Sequence, residues 1–176
     1  YNYSLEDINP SSASFGQAIG TSYFEDHVTL HYFGYFTWGT CTNRFGQLNN
    51  LYASLKSQGY NVELIGISNG SAGSSSSGNW TSNNDSPICI DSTNQAVWNA
   101  WGASQRDLYV LDLDGNLVLQ QNITTGLPDN LESLIIDLLN PTAYELCNIN
   151  DIYVSEAHTS GDPEDYIEIF NSGATS

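Results

Sequence analysis

The chain has 176 residues, with 20 acidic side chains against 3 basic ones and a formal charge of −17 at neutral pH. Nucleic-acid phosphates and anionic membrane surfaces are met by Lys and Arg, so this charge argues against both, and phosphorylated substrates would find only Arg44, Lys56 and Arg106. No apolar run approaches the roughly 20 residues of a membrane helix, while 40% apolar residues suffice for a core.

The chain opens on Tyr1 rather than Met, which we read as a processed chain whose export signal has been removed. Only 13% of residues are charged although Ser, Asn, Thr and Gly abound, a polarity without charge that is common outside cells. N-x-[ST] sequons at Asn2, Asn69, Asn79, Asn84 and Asn122 are candidate N-glycosylation sites. Together these features predict a secreted or cell-surface protein.

An N-terminal arm, 1–26, reads as mostly irregular, with Asn9-Pro10 and nearby serines as turn signals. Residues 28–36 (VTLHYFGYF) are apolar on both faces, as in a buried strand of a parallel sheet. Phe45, Leu48, Leu51, Tyr52 and Leu55 then recur at spacings of three and four, which predicts an amphipathic helix over 41–58. A second strand covers 61–68, making a right-handed βαβ unit. Residues 68–86 are so rich in Gly, Ser and Asn that a flexible polar insertion is expected. A short strand at 88–90 and a short helix at 94–103 follow. Two strands, 107–113 and 116–122, flank the hairpin signal Asp114-Gly115, and a helix with an N-terminal Pro spans 128–139. This order, β-α-β, then α, then a β-hairpin, then α, is that of an α/β thioredoxin-like fold, here assigned to residues 1–140.

In that fold the loop after the first long strand feeds the N-terminus of the first helix, where free amides and the helix dipole stabilise a thiolate. The loop reads Thr37-Trp38-Gly39-Thr40-Cys41. A dithiol enzyme needs C-x-x-C, with the first sulfur attacking and the second resolving. Here the first position is Trp38, and Cys41 stands at the second, so the site reads as degenerate. No Pro occurs over 102–107, where such folds carry a cis-proline.

The stretch from Leu5 to Leu139 resembles the redoxin domains related to the N-terminal domain of selenoprotein P. The resemblance is carried by Asn9-Pro10-Ser11-Ser12, Tyr32-Phe33-Gly34, the loop ending in Cys41, and the helix end Leu55-Lys56-Ser57-Gln58-Gly59-Tyr60. Val97-Trp98 and the hairpin from Tyr109-Val110-Leu111-Asp112 to Gly115-Asn116-Leu117-Val118 extend it. In that family the first site position carries selenocysteine or cysteine and the fourth cysteine, which implies Trp38 and Cys41 here. With the nucleophile replaced, a non-catalytic domain is expected. The three cysteines, Cys41, Cys89 and Cys147, are disulfide candidates, with Cys41–Cys89 and Cys89–Cys147 as alternatives and all-free thiols as a third.

Beyond Pro141 the pattern changes. Residues 148–155 and 166–171 alternate like two strands around an acidic turn. Val154-Ser155-Glu156-Ala157, Gly161-Asp162 and Tyr166-Ile167-Glu168-Ile169-Phe170-Asn171 resemble the opening of a lamin-tail domain, which implies a partial immunoglobulin-like β-segment over 141–176. Two strands alone are not stable, so pairing with another surface is expected through Tyr153, Val154, Tyr166, Ile167, Ile169 and Phe170.

Asp112, Asp114 and Asn116 have the spacing that opens a calcium loop, but Ile123 stands where the closing Glu belongs, so a turn is the better reading. His27, His31 and His158 lack metal-ligand spacing, and neither a metal nor a cofactor is expected. Tyr3 and Trp80 read as exposed aromatics. The sequence therefore predicts a non-enzymatic extracellular structural or adhesive module that self-associates into a fibre or meets another extracellular protein. Its alternatives are a thiol oxidoreductase or peroxidase using Cys41, and a fragment of a larger surface protein.

Overall fold

A computed structural model describes residues 1–73, 76–82 and 84–140, together with the backbone of two strands further on. The chain divides into two compact units, Tyr1–Leu139 and Asn140–Ser176.

The first unit is built on a five-stranded sheet. Its strands are β3 (Val28–Gly34), β4 (Val62–Ser68), β5 (Ile88–Ile90), β6 (Asp107–Leu111) and β7 (Leu117–Asn122), in the order β5-β4-β3-β6-β7. β3, β4 and β5 run parallel, while β6 is antiparallel to β3 and to β7. All seven residues of β3 are buried, as a central strand covered on both faces requires.

Alternation along the strands divides the core in two. Val28, Leu30, Tyr32, Val62, Leu64, Leu108 and Val110 share one cluster with the long helix α1 (Gly39–Ser57) and with α4 (Leu131–Leu139). Phe33, Ile65, Ile67, Cys89, Tyr109 and Leu111 share the other with α3 (Ala96–Trp101). α1 buries Cys41, Phe45, Leu48, Tyr52 and Leu55, the stripe its spacing predicts. α3 begins without a side-chain cap of its own. Asp91 supplies the acceptor from a distance, receiving the amides of Val97 at 3.0 Å and Trp98 at 2.9 Å.

Three sequence expectations are corrected in this unit: the irregular arm, the flexible insertion, and the exposure of Tyr3 and Trp80. The arm is not simply irregular: β1 (Leu5–Glu6) pairs antiparallel with β2 (Ala18–Ile19). Asp7 then fastens it to the edge of the main sheet. Its fully buried carboxylate accepts from the amides of Asn9 and Ile88, both at 2.9 Å, and from Ser14 Oγ at 2.8 Å. Nor is the Gly/Ser/Asn-rich stretch merely a flexible insertion. It contains α2 (Gly78–Thr81), and Trp80 within it is only 1% exposed. The indole stacks on Phe45 at 4.6 Å and meets Phe36 edge-on at 4.9 Å. Gly34 and Gly66 leave room for it, since a Cβ at either would stand 3.0 Å from the Trp80 ring. One large apolar side chain thus supplies the burial that the surrounding polar residues lack. Tyr3 is buried as well, its hydroxyl 3.2 Å from His31 Nδ1.

The hairpin turn is wider than Asp114-Gly115 alone suggests. β6 ends at Leu111, and Asp112 Oδ1 accepts from the amides of Asp114 and Asn116 at 3.0 and 2.7 Å. The carboxylate of Asp112 is occupied by turn amides, which accounts for the acid-rich spacing without calcium.

In the second unit β8 (Ile152–Ala157) pairs antiparallel with β9 (Ile167–Asn171), with a register shift between Val154 and Glu156. Tyr153, Val154, Ile167, Ile169 and Phe170 lie in these strands, whereas Tyr166 and Cys147 fall outside the described residues. Among the described residues no helix is long and apolar enough to cross a membrane.

Candidate active site

The loop between β3 and α1 delivers Cys41 into the first turn of α1, as its third residue. Trp38 sits at the N-cap with no side-chain oxygen to accept from the following amides, and the first turn contains no acid. The helix N-terminus is therefore left without the usual counter-charge. Trp38 is 50% exposed and stacks on Tyr35 at 5.3 Å, so its indole faces outward while the thiol faces in. Cys41 is fully buried, and the Tyr32 hydroxyl donates to its carbonyl at 3.1 Å.

A feature missed in the sequence reading lies across from the thiol. Arg106 Nη1 is 3.9 Å from Cys41 Sγ. Its Nε donates to Thr124 Oγ1 at 2.7 Å. Arg44, one turn along α1, donates from Nε to the Ile123 carbonyl at 2.8 Å and from Nη2 to that of Thr124 at 3.0 Å. Two of the chain's three basic residues thus converge on the segment that faces Cys41. No spacing rule links residue 41 to residue 106. The signal available in the sequence was the scarcity of cations, which gives each one unusual weight.

The position where a cis-proline is expected shows how Arg106 is aimed. The described peptide bonds are trans, and the chain instead turns through Arg106 itself, at φ +69°. This left-handed conformation costs a non-glycine residue of order 1 kcal/mol. It is held from both sides: the Arg106 amide donates to the Phe33 carbonyl at 2.7 Å, and its carbonyl accepts from Ile123 at 2.8 Å.

The Cys41–Cys89 disulfide is not formed. Both thiols are free and buried, and they belong to clusters on opposite faces of the sheet. Cys89 packs with Ile67 and Trp98 rather than with Cys41, because alternation along β5 turns it to the α3 face of the sheet. Burial, and then the nearby Asp7, push the Cys89 thiol's pKa far up.

The sequons separate by environment. Asn2, Asn79 and Asn122 are exposed, and Asn84 is half-buried. Asn69 is fully buried, with Oδ1 accepting from the Ser71 amide at 3.0 Å, so a glycan there is incompatible with this fold. Asn79 Nδ2 donates to the Phe36 carbonyl at 2.6 Å, and Asn122 Nδ2 to Asp107 Oδ1 at 2.7 Å. Among the described residues no group of three or more His, Cys, Asp or Glu side chains is placed to hold a metal ion.

No protein-family profile matches the chain, and no curated protein matches it by sequence. Solved structures do resemble it. A putative thiol:disulfide interchange protein DsbE from Chlorobium tepidum superposes with a TM-score of 0.64 at 14% identity, over 79% of this chain and 94% of that one. A putative thioredoxin from Neisseria meningitidis gives 0.64 at 15% identity, over 82% and 91%. BsSco, a member of the Sco family of cytochrome c oxidase assembly proteins in which a disulfide switch was identified, gives 0.61 at 13%, over 81% and 94%. The expectation of a non-catalytic structural or adhesive module, and with it the reading as not an enzyme, is corrected by this likeness. The Chlorobium tepidum structure sharing the fold is named for thiol:disulfide interchange, and Arg106 stands 3.9 Å from the sulfur that remains beside Trp38. At such identities what is shared is the fold: the chain has an α/β thioredoxin-like fold, a mixed central sheet flanked by helices.

Proposed function

We propose that the chain is a thiol–disulfide oxidoreductase that works through the single thiol of Cys41. The observation that carries this is the Arg106 guanidinium 3.9 Å from Cys41 Sγ at the start of α1, in a chain with three basic residues. The Cys41 thiolate attacks one sulfur of a substrate disulfide, forming a mixed disulfide and releasing the other substrate sulfur as a thiolate. With Trp38 at the first motif position, no second sulfur in the motif resolves that intermediate. An external thiol does so, restoring the Cys41 thiolate and leaving with the substrate sulfur as a new disulfide. Because Cys41 is covered, exchange requires local opening of the loop around Trp38 or of the Arg106 side chain.

The finer kinship with selenoprotein P-like redoxins fits this chemistry, with Trp38 at their first site position and Cys41 at the fourth. The kinship of the β8–β9 segment with a lamin-tail domain is a separate proposal. A location outside the cytoplasm is supported by the uncharged polar composition, and an extracellular protein bearing a disulfide is the partner this site would take. N-glycosylation at Asn2, Asn79 or Asn122 belongs to the same proposal.

The test is reduction of insulin disulfides, or exchange with a small-molecule disulfide, by the purified chain in the presence of an external thiol. Turnover that disappears in Cys41→Ser and persists in Cys89→Ala is expected. Equal rates in the wild type and Cys41→Ser would overturn the reading.

A further inference from the structure

The edge of the main sheet carries a cavity whose lining does not include Cys41. β5 pairs only with Gly66–Ser68 of β4, so the first half of β4 has no strand beside it on that edge. The arm runs across this notch without filling it, and a cavity of about 260 Å³ remains. Ser11, Ser12 and Ser14 contribute hydroxyl-bearing residues to one side, and Tyr23 and Phe24 form an aromatic wall, their rings edge-to-face at 4.9 Å.

Charge in the cavity is unbalanced. Lys56 Nζ is 3.3 Å from Asp85 Oδ2 and donates to the Tyr52 hydroxyl at 2.5 Å, so Asp85 already has its counter-ion. Glu63, on β4, also lines the cavity, and its Oε1 is buried without a hydrogen-bond partner. Burial raises the Glu63 pKa and Asp85 adds to the rise, while a hydrogen bond from Tyr52 to the carboxylate and the charges of Lys56 and His27 pull it down less strongly, which leaves Oε1 as the unpaired oxygen. A buried carboxylate oxygen without a donor is costly, and a donor brought by a ligand removes that cost. The chain's net charge of −17 favours a cation over an anion here, and an aromatic lining of Tyr23 and Phe24 suits one.

We propose that this notch binds a compact primary ammonium group, paired with Glu63 and flanked by the aromatic wall and the serine side. Either a free alkylamine or the tip of a lysine side chain supplies that chemistry. The cavity's size limits the ligand to one small group rather than a drug-sized molecule.

The experiment is a backbone amide chemical-shift titration of the full chain with n-butylammonium chloride, 1-butanol as the neutral isostere, and a short lysine peptide with blocked ends. Saturable shifts at Ser11–Ser14 and Glu63 with butylammonium, and none with butanol, are expected. The peptide arm assigns the source: tighter binding than butylammonium identifies a lysine side chain, weaker or no binding a free amine, and both support the ammonium site. Glu63→Gln should weaken binding at least ~10-fold, as loss of a partly buried charge partner does. Lys56→Gln, at an exposed position, should tighten it a few-fold by removing a competing cation and releasing Asp85. The proposal is overturned by equal shifts with butanol, by the lack of any saturable shift, or by Glu63→Gln binding as tightly as the wild type in a variant that retains the wild-type amide spectrum.

Discussion

Cys41 and Cys89 are both free, buried thiols of one domain, yet they occupy opposite chemical environments. Cys41 stands in the first turn of a long helix with a guanidinium 3.9 Å away. Cys89 stands mid-strand among Ile67, Val97 and Trp98, with the buried carboxylate of Asp7 as its nearest charge influence. Burial is common to both, so burial alone does not distinguish them. What separates them is the sign of the charge brought up from elsewhere in the chain: positive at Cys41, negative at Cys89.

The largest expected effect is on alkylation under native conditions. Iodoacetamide should label Cys41 at least ~100-fold faster than Cys89, read by mass spectrometry of digested peptides, because the thiolate is the reacting form and burial with Asp7 holds the Cys89 thiol protonated. Arg106→Leu should reduce that difference about 10-fold, and an unchanged ratio would remove the guanidinium from the account. Trp80→Ala removes the side chain that packs on Phe36 and Phe45 above the same loop. It should cost about 3–5 kcal/mol in urea unfolding and raise Cys41 labelling, whereas labelling of Cys89 on the other face stays put. Asp7→Asn probes the Cys89 side. Losing charge-assisted acceptance from two amides and Ser14 should cost about 2–3 kcal/mol and raise Cys89 labelling while leaving Cys41 unaffected.

The smallest effect is a pH slope. Burial lowers the His31 pKa from 6.5 to about 3. The unfolded chain therefore takes up a proton below pH 6.5 that the folded chain refuses. Stability from this group is complete above that pH and falls as pH drops toward 3, by about 2 kcal/mol at pH 5. Urea midpoints at neutral and mildly acidic pH measure it, and His31→Gln should flatten the slope.

Strand and helix order was readable because it is written in local periodicity: the both-faces-apolar run of β3, the three-and-four spacing of Phe45, Leu48, Tyr52 and Leu55, and the Asp-Gly turn. The position of Cys41 at the start of α1 follows from that order. The structured state of the Gly/Ser/Asn-rich stretch was not readable, because composition reports an average. Trp80 finds a slot only where Gly34 and Gly66, 32 residues apart in the chain, come together diagonally on paired strands, Gly66 beside Tyr32 and Gly34 beside Ser68. The disulfide expectation failed for a related reason: two cysteines near one sheet end are bridged only if they share a face, and strand alternation decides that residue by residue.

The amino-acid sequence by itself determined the element order, the buried central strand, the acidic charge and the absence of a C-x-x-C pair, since each is a property of neighbours along the chain. Only the tertiary structure decided what surrounds the remaining sulfur. Arg106 reaches Cys41 because β3 and β6 pair side by side and the chain enters β6 through a left-handed turn held by Phe33 and Ile123. Contacts across 65 residues of chain, like that between Cys41 and Arg106, are set by sheet register and face, which no local pattern encodes.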